Sequence, residues 1–233
     1  MFCITHIYSF SGQLYPSVTT VLSACYPVPE ALAAWKLKTG AGGVEKMRAA
    51  QVVGTLSHYR ILNKLSPSLL DPPEFDPDSL PKDTMELVDL AEIMFSELAL
   101  DIGYPRKIER LLFSKEYRFC GTPDLCAPIN GIYTLADLKT SKDLHETHKL
   151  QLGGYHELLG RTPEQGMLIS IHPHTYQNKF LRAHTHIIER KDLDDYADKF
   201  LEYAKEFHGR KLTEKLAVEY GIMNEFKTVI GND

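Results

Sequence analysis

No stretch of this 233-residue chain approaches the roughly 20 consecutive apolar residues that cross a bilayer as a helix. No membrane association is expected from it. The first ten residues, M-F-C-I-T-H-I-Y-S-F, lack a basic n-region and a small-residue cleavage site. They also lack the Arg- and Ser-rich look of a transit peptide, so the expectation is an intracellular, cytoplasmic protein. Cysteine is scarce. Cys3, Cys25, Cys120 and Cys126 are the only four, and none forms the C-x-x-C spacing of a zinc ribbon. Nothing beyond Cys126 closes a cage from the C-terminal side, so no iron–sulfur cluster is expected. Positive charge is not in excess either. A net charge of −5 excludes diffuse, charge-driven coating of a nucleic acid, while leaving room for a local basic groove or a metal-supplied positive centre. Internal repeats, low-complexity tracts and long Ser/Gly linkers are absent.

What remains is the composition of an ordinary soluble domain, 43% hydrophobic and 24% charged, long enough to bury a substantial core. Phe2–Tyr8 reads as a short strand. Tyr15–Leu22 reads as a turn feeding a helix, with Ser17 as its N-cap. Helices are expected over Glu30–Lys38, which carries the only tryptophan, Trp35, and over Val44–Leu65, with Gly40–Gly43 as a loop or hinge. Ser66–Pro81 holds five prolines and reads as surface loop. Apolar residues at helical spacing predict a helix over Thr84–Ile102. Strands follow at Lys107–Ser114, Tyr117–Ala127 and Ile132–Lys139, the last two flanking an Asn130-Gly131 hairpin turn. A helix over His145–Leu159, strands at Gln165–His172 and Phe180–Ile188, and helices over Asp192–His208 and Arg210–Tyr220 complete the chain. The fold class is α/β, one domain with a central mixed sheet flanked by helices. Residues 1–105 are mainly helical, 106–190 carry the sheet core, and 191–233 add helices.

Chemistry concentrates in three segments: G-T-P-D-L at Gly121–Leu125, L-A-D-L-K-T-S-K at Leu135–Lys142, and Q-L-G-G-Y at Gln151–Tyr155. Alternation along a strand turns Asp137 and Lys139 to one face. The hairpin brings Asp124 towards Asp137. Two carboxylates that close repel, and a cation between them relieves the repulsion. Hydrolysis of a phosphodiester needs such a cation, with a lysine to position water or to stabilise developing charge. Gln151 and Tyr155, four apart, share one helix face that can bind phosphate or align the lysine. Against this stands the plainer reading of Asp124 as a turn residue and Asp137–Lys139 as an exposed ion pair.

The order G-x-P-D, D-x-K, Q-L-x-x-Y resembles the RecB-like branch of the PD-(D/E)xK nuclease superfamily. G-T-L-S-H at Gly54–His58 matches the histidine motif of that branch, and P-S-V-T-T-V-L-S with Leu32-Ala33-Ala34-Trp35 is similar to phage exonucleases and the mitochondrial genome maintenance exonuclease. The resemblance runs from about Pro16 to Tyr155. It implies a restriction-endonuclease-like core and Mg²⁺ or Mn²⁺ held by His58, Asp124 and Asp137, with Glu109 at the position where that group often has a further acid. It also implies catalysis by Asp124, Asp137, Lys139, Gln151 and Tyr155. The cysteine pattern of iron–sulfur members and any helicase motif are missing, so a helicase or recombination partner would have to act in trans.

Further residues are weighed individually. Lys142, His148 and Lys149 follow the D-x-K strand, where a nucleic-acid backbone would pass. Trp35, Tyr59 and Tyr155 offer rings to unpaired bases. His172 with His174, and His184 with His186, face alike in pairs, and surface histidines explain them better than a second metal site. The expected function is a metal-dependent DNA exonuclease acting on single strands or free ends in replication, recombination or repair. A structure-specific or restriction-like endonuclease of the same superfamily and a non-catalytic DNA-binding module are the alternatives.

Overall fold

The computed structural model describes residues 6–27, 30–67, 70, 73, 83–104, 107–173 and 183–219. The chain first reverses at Ser11 and Gly12, both with positive φ (49° and 75°), which joins β1 (Ile7–Phe10) to β2 (Gln13–Pro16). The expected strand at Phe2–Tyr8 therefore lies further along, and its first residues fall outside the described part. Ser17 caps α1 (Val18–Cys25), its Oγ accepting from Thr20 N at 3.1 Å, as the sequence indicates.

The two expected helices flanking the glycine-rich stretch are one continuous element, α2 (Glu30–Leu65), kinked at Gly40. The hinge narrows from four residues to one. Gly40 has φ 52° and ψ −137°, a backbone state open to glycine and costly for a side chain. Helical geometry resumes at once because the following glycines need no such state. Trp35 lies on this helix, with its side chain outside the described part.

Helix α3 (Thr84–Glu97) stops five residues short of the expected Ile102. Ala99 turns into the left-handed region (φ 48°), and the chain then runs extended beside the tip of a later hairpin. Asn130 N donates to Asp101 O at 2.7 Å, and Gly103 N donates to Pro128 O at 2.7 Å. Leu98, Leu100 and Ile102 still pack on the core, so their apolar spacing is satisfied without helix.

Two expected strands are each broken in two. Lys107–Ser114 divides into β3 (Lys107–Ile108) and β4 (Leu112–Ser114), because Glu109 adopts φ 43°. Tyr117–Ala127 divides into β5 (Phe119–Gly121) and β6 (Leu125–Ile129), with Thr122-Pro123-Asp124 between them. Pro123 has no N–H to give a ladder. Beyond the breaks, β4 and β5 pair as a separate ribbon while β3 and β6 join the main sheet. β7 (Ile132–Lys139) falls where expected. Its turn from β6 has positive φ at both Asn130 (51°) and Gly131 (83°), the signature of a type I′ hairpin.

The remaining elements are α4 (Glu146–Leu158), β8 (Gln165–Ser170), β9 (His184–Glu189), α5 (Arg190–Gly209) and α6 (Leu212–Glu219), each within a few residues of its expected span. The central sheet has order β3-β6-β7-β8-β9. Its pairings are antiparallel except β7 with β8, which are parallel and joined through α4. Alternate residues of β7 serve opposite faces. Leu135 packs with Leu150, Leu152, Phe200 and Val18 of the α1, α4 and α5 layer. Ala136 and Leu138 pack with Ile61, Leu62, Ala91 and Met94 of the α2 and α3 layer.

Helix α4 docks tightly through its two glycines. A Cβ at Gly153 would lie 2.4 Å from the carbonyl atoms of Tyr196 on α5, and one at Gly154 would lie 2.9 Å from the methyls of Val18. The first clash is with backbone, which cannot swing aside. Gly153→Ala is expected to cost about 2–3 kcal/mol and to lower the melting temperature by roughly 5–10 °C. A thermal melt followed by circular dichroism checks this, and an unchanged midpoint would contradict the close approach of α4 and α5.

Candidate active site

The breaks in the strands are what assemble the site. Asp124 sits just ahead of β6, one residue before the Leu125–Ala136 pair, so it lies beside Asp137. Its Oδ2 accepts from Leu138 N at 2.7 Å. Its backbone carbonyl accepts from Glu109 N at 3.2 Å, which ties the left-handed kink at Glu109 to the same spot. From the opposite layer, His58 on α2 brings Nδ1 to 3.4 Å from Asp124 Oδ2. Donor atoms of His58, Glu109 and Asp124 all lie within 4.8 Å of one another, a separation one cation can bridge. Among the described residues no other group of three such side chains is this close.

Asp137 stands next to that group rather than in it. It is 1% exposed, and its Oδ2 is 2.6 Å from Lys139 Nζ. Both oxygens are buried without a hydrogen bond, and Oδ2 has the ion pair with Lys139 alone. The sequence offered an exposed strand ion pair as the plain alternative; the ion pair exists, but it is buried.

Lys139 is held from the other side. Its Nζ donates to Gln151 Oε1 at 2.8 Å, and Gln151 Nε2 donates to Tyr155 OH at 2.9 Å. The i, i+4 face of α4 thus contacts the lysine through a chain of two hydrogen bonds. Tyr155 is buried, and its ring lies against Gly121, where a Cβ would come within 2.7 Å of it.

Electrostatics separate the two aspartates. Burial alone would raise Asp124, yet the His58 imidazole, Lys139 and the Leu138 N–H hold it below the usual carboxylate value. Burial, with the neighbouring Asp124 charge, pushes Asp137 up to about 6 despite Lys139. Burial opposes the protonated form of His58, but the Asp124 carboxylate more than offsets this and raises its pKa. Burial followed by Asp124 also raises Glu109. Burial keeps the Tyr155 phenol protonated, well above its ordinary range. Two carboxylates driven apart in pKa within one pocket mark a charge conflict that a cation would relieve. The donor set fits a hard divalent ion, with carboxylate oxygens supplemented by one imidazole nitrogen.

The outlying candidates fare differently. Tyr59 lines a cleft of about 380 Å³ beside His58 and Glu109, together with Ala50, Gln51, Gly54, Thr55, Pro73 and Thr140. Gly54 and Thr55 belong to the G-T-L-S-H motif read in the sequence, whereas Gln51 was not singled out there. Its step of four to Thr55, and of eight to Tyr59, on the same helix was the available signal. Lys142 is exposed. Lys149 turns its ammonium over the Tyr196 ring at 5.8 Å, towards α5. Burial, with Lys139 and His145 nearby, lowers the pKa of His148 to about 3, so it is neutral near pH 7. His184 and His186 are exposed on the edge strand β9, His172 is half-buried, and His174 lies outside the described residues. Cys25 is half-buried, Cys120 and Cys126 are buried, and Cys3 lies outside the described residues. No helix among the described residues is long and apolar enough to cross a membrane.

No family model matches the chain, and no curated protein matches it. Among solved structures the chain is similar to LHK-Exo in complex with dAMP, at 12% identity and a TM-score of 0.38, over 72% of this chain and 93% of that one. It is similar to a phage related exonuclease from Haemophilus somnus 129PT at 16% identity and a TM-score of 0.37, over 69% of this chain and 83% of the other. SSO0001 is more distant, with 18% identity and a TM-score of 0.28, over 66% and 74%. At these scores the likeness carries no argument by itself; the chemistry has to come from the residues of the chain.

Proposed function

We propose that this chain is a metal-dependent deoxyribonuclease, an exonuclease that hydrolyses phosphodiester bonds at single-stranded or free DNA ends. One observation carries the reading. Asp137, buried beside Asp124 with one oxygen unpartnered and its pKa raised to about 6, adjoins the His58–Glu109–Asp124 group and the Lys139–Gln151–Tyr155 chain. A buried carboxylate left half-satisfied is costly unless a cation or proton completes it.

His58, Glu109 and Asp124 would hold Mg²⁺ or Mn²⁺, with Asp137 supplying its free oxygen. When bound, such an ion holds the phosphate and lowers the pKa of the attacking water. The protein's part is positional. Lys139 Nζ donates to Gln151 and lies 2.6 Å from Asp137 Oδ2, so of its three N–H groups one remains for an anionic oxygen on the scissile phosphate. That donor stabilises charge as it develops. Gln151, fixed by Tyr155, prevents the lysine from swinging out to solvent. Gln151→Leu is therefore expected to cost tenfold to about a hundredfold in kcat with a small effect on KM, read from steady-state cleavage of a labelled oligonucleotide. Equal kcat in the variant would remove Gln151 from the account.

The function itself is tested with Mg²⁺ or Mn²⁺ and labelled single-stranded, duplex and covalently closed circular DNA. Degradation of linear strands with circles spared is expected. Cleaved circles would instead make the chain an endonuclease, and binding without cleavage in either metal would make it a DNA-binding module.

A further inference from the structure

The cleft lined in part by His58 and Glu109 contains no lysine or arginine among its described lining residues. Its volume, about 380 Å³, is at the lower end for small-ligand pockets and matches a single nucleoside rather than a base pair. Phosphate binding relies on cationic or closely packed N–H donors, and apart from His58 at the proposed metal site the described lining provides neither. It suits a flat, neutral heterocycle.

Its lining is arranged accordingly. Gln51, Thr55 and Tyr59 follow at i, i+4 and i+8 on α2 and form one stripe. Tyr59 gives an aromatic face. Gln51 gives an amide that both donates and accepts. The Thr55 hydroxyl donates to Gln51 O at 3.1 Å, leaving its lone pairs to accept. Gly54 lets this stripe approach Thr140, the residue that follows β7, since a Cβ there would meet its Oγ1 at 3.0 Å.

We propose that this cleft is a nucleobase pocket, taking one unpaired base next to the phosphodiester to be cut, with Tyr59 as its stacking face and Gln51 and Thr55 at the base edge. This rests on the nuclease reading and deepens it by naming the substrate. A base enters only after leaving its partner, so the strand is cut where it is already single or has frayed. Stacking tolerates every base, so sequence preference is slight.

The test compares two labelled single-stranded oligonucleotides, one with all its bases and one with abasic residues at both ends. Cleavage is measured in Mg²⁺ and binding by fluorescence anisotropy in Ca²⁺. The wild type is expected to favour the intact strand roughly tenfold or more. Tyr59→Ala should lose that factor on the intact strand while staying within about twofold of wild type on the abasic one; Tyr59→Phe should keep it. Ala50→Phe, which fills the cleft from an exposed helical position, should reproduce the loss. Equal treatment of both strands by the wild type overturns the pocket, as does an equal loss on both in Tyr59→Ala. Should the wild type cut neither strand, the nuclease reading fails, and the anisotropy preference with its Tyr59 dependence still decides the pocket.

Discussion

Replacing Asp137 with asparagine is expected to abolish metal-dependent DNA cleavage, a loss on the order of 10³ or more. Outer-shell partners of a metal typically cost 10–100-fold when removed, so a direct ligand should exceed that. The same change should leave the metal-free protein as stable as the wild type or more so. Asp137 has its folded pKa raised from 3.8 to about 6, so the unfolded chain releases this proton more readily than the folded one. The resulting penalty is absent below pH 3.8, grows as pH rises to about 6, and is fully present at pH 7.5. Asparagine removes the charge and with it the penalty. A cation relieves the penalty in the wild type, so Mn²⁺ should raise its melting temperature more at pH 7.5 than at pH 5, and should raise that of Asp137→Asn little at either. A purely structural Asp137–Lys139 ion pair requires the reverse: a lower melting temperature in Asp137→Asn without metal. Differential scanning fluorimetry with and without Mn²⁺ separates the two.

The second large effect belongs to Lys139. Lys139→Met keeps most of the apolar stem and removes the ammonium between Asp137 and Gln151. A loss of roughly 10²–10⁴ in kcat is expected, with KM for the oligonucleotide changed little. That division identifies a group acting mainly in the transition state. Lys139→Arg should not restore activity, because a planar guanidinium presents its donors in a fixed fork rather than a compact tetrahedral head. A variant with normal kcat and a raised KM would reassign Lys139 to DNA binding.

Much of this site is written in local spacing. Asn130-Gly131 encodes its own turn, so the facing of β6 and β7 follows from two residues. The D-x-K alternation and the four-residue step from Gln151 to Tyr155 are also local, and both survive in the fold. What spacing does not reveal is where tertiary contact overrides a continuous pattern. Glu109 looks like a mid-strand residue, yet its backbone turns left-handed, and that kink brings its carboxylate to Asp124. Pro123 was visible, but not that its break would send β5 and β6 to different sheets. The apolar spacing runs on past the helix end, because Leu98, Leu100 and Ile102 pack on the core from an extended segment beside the hairpin tip. His148 looks basic in sequence, and only its burial beside Lys139 makes it neutral. The cleft along α2 needed Gly54 to meet Thr140, a contact between residues far apart in the chain.

The central claim is that this group of side chains cuts DNA with a divalent cation. It is tested most directly by chelating the purified protein completely, then adding Mg²⁺ or Mn²⁺ in steps and following an end-labelled linear single strand. The account predicts no cleavage in chelator, a saturable return as metal is added, and no return in Asp137→Asn at any concentration that saturates the wild type. Cleavage that persists undiminished in chelator, or a full return in Asp137→Asn, would contradict it.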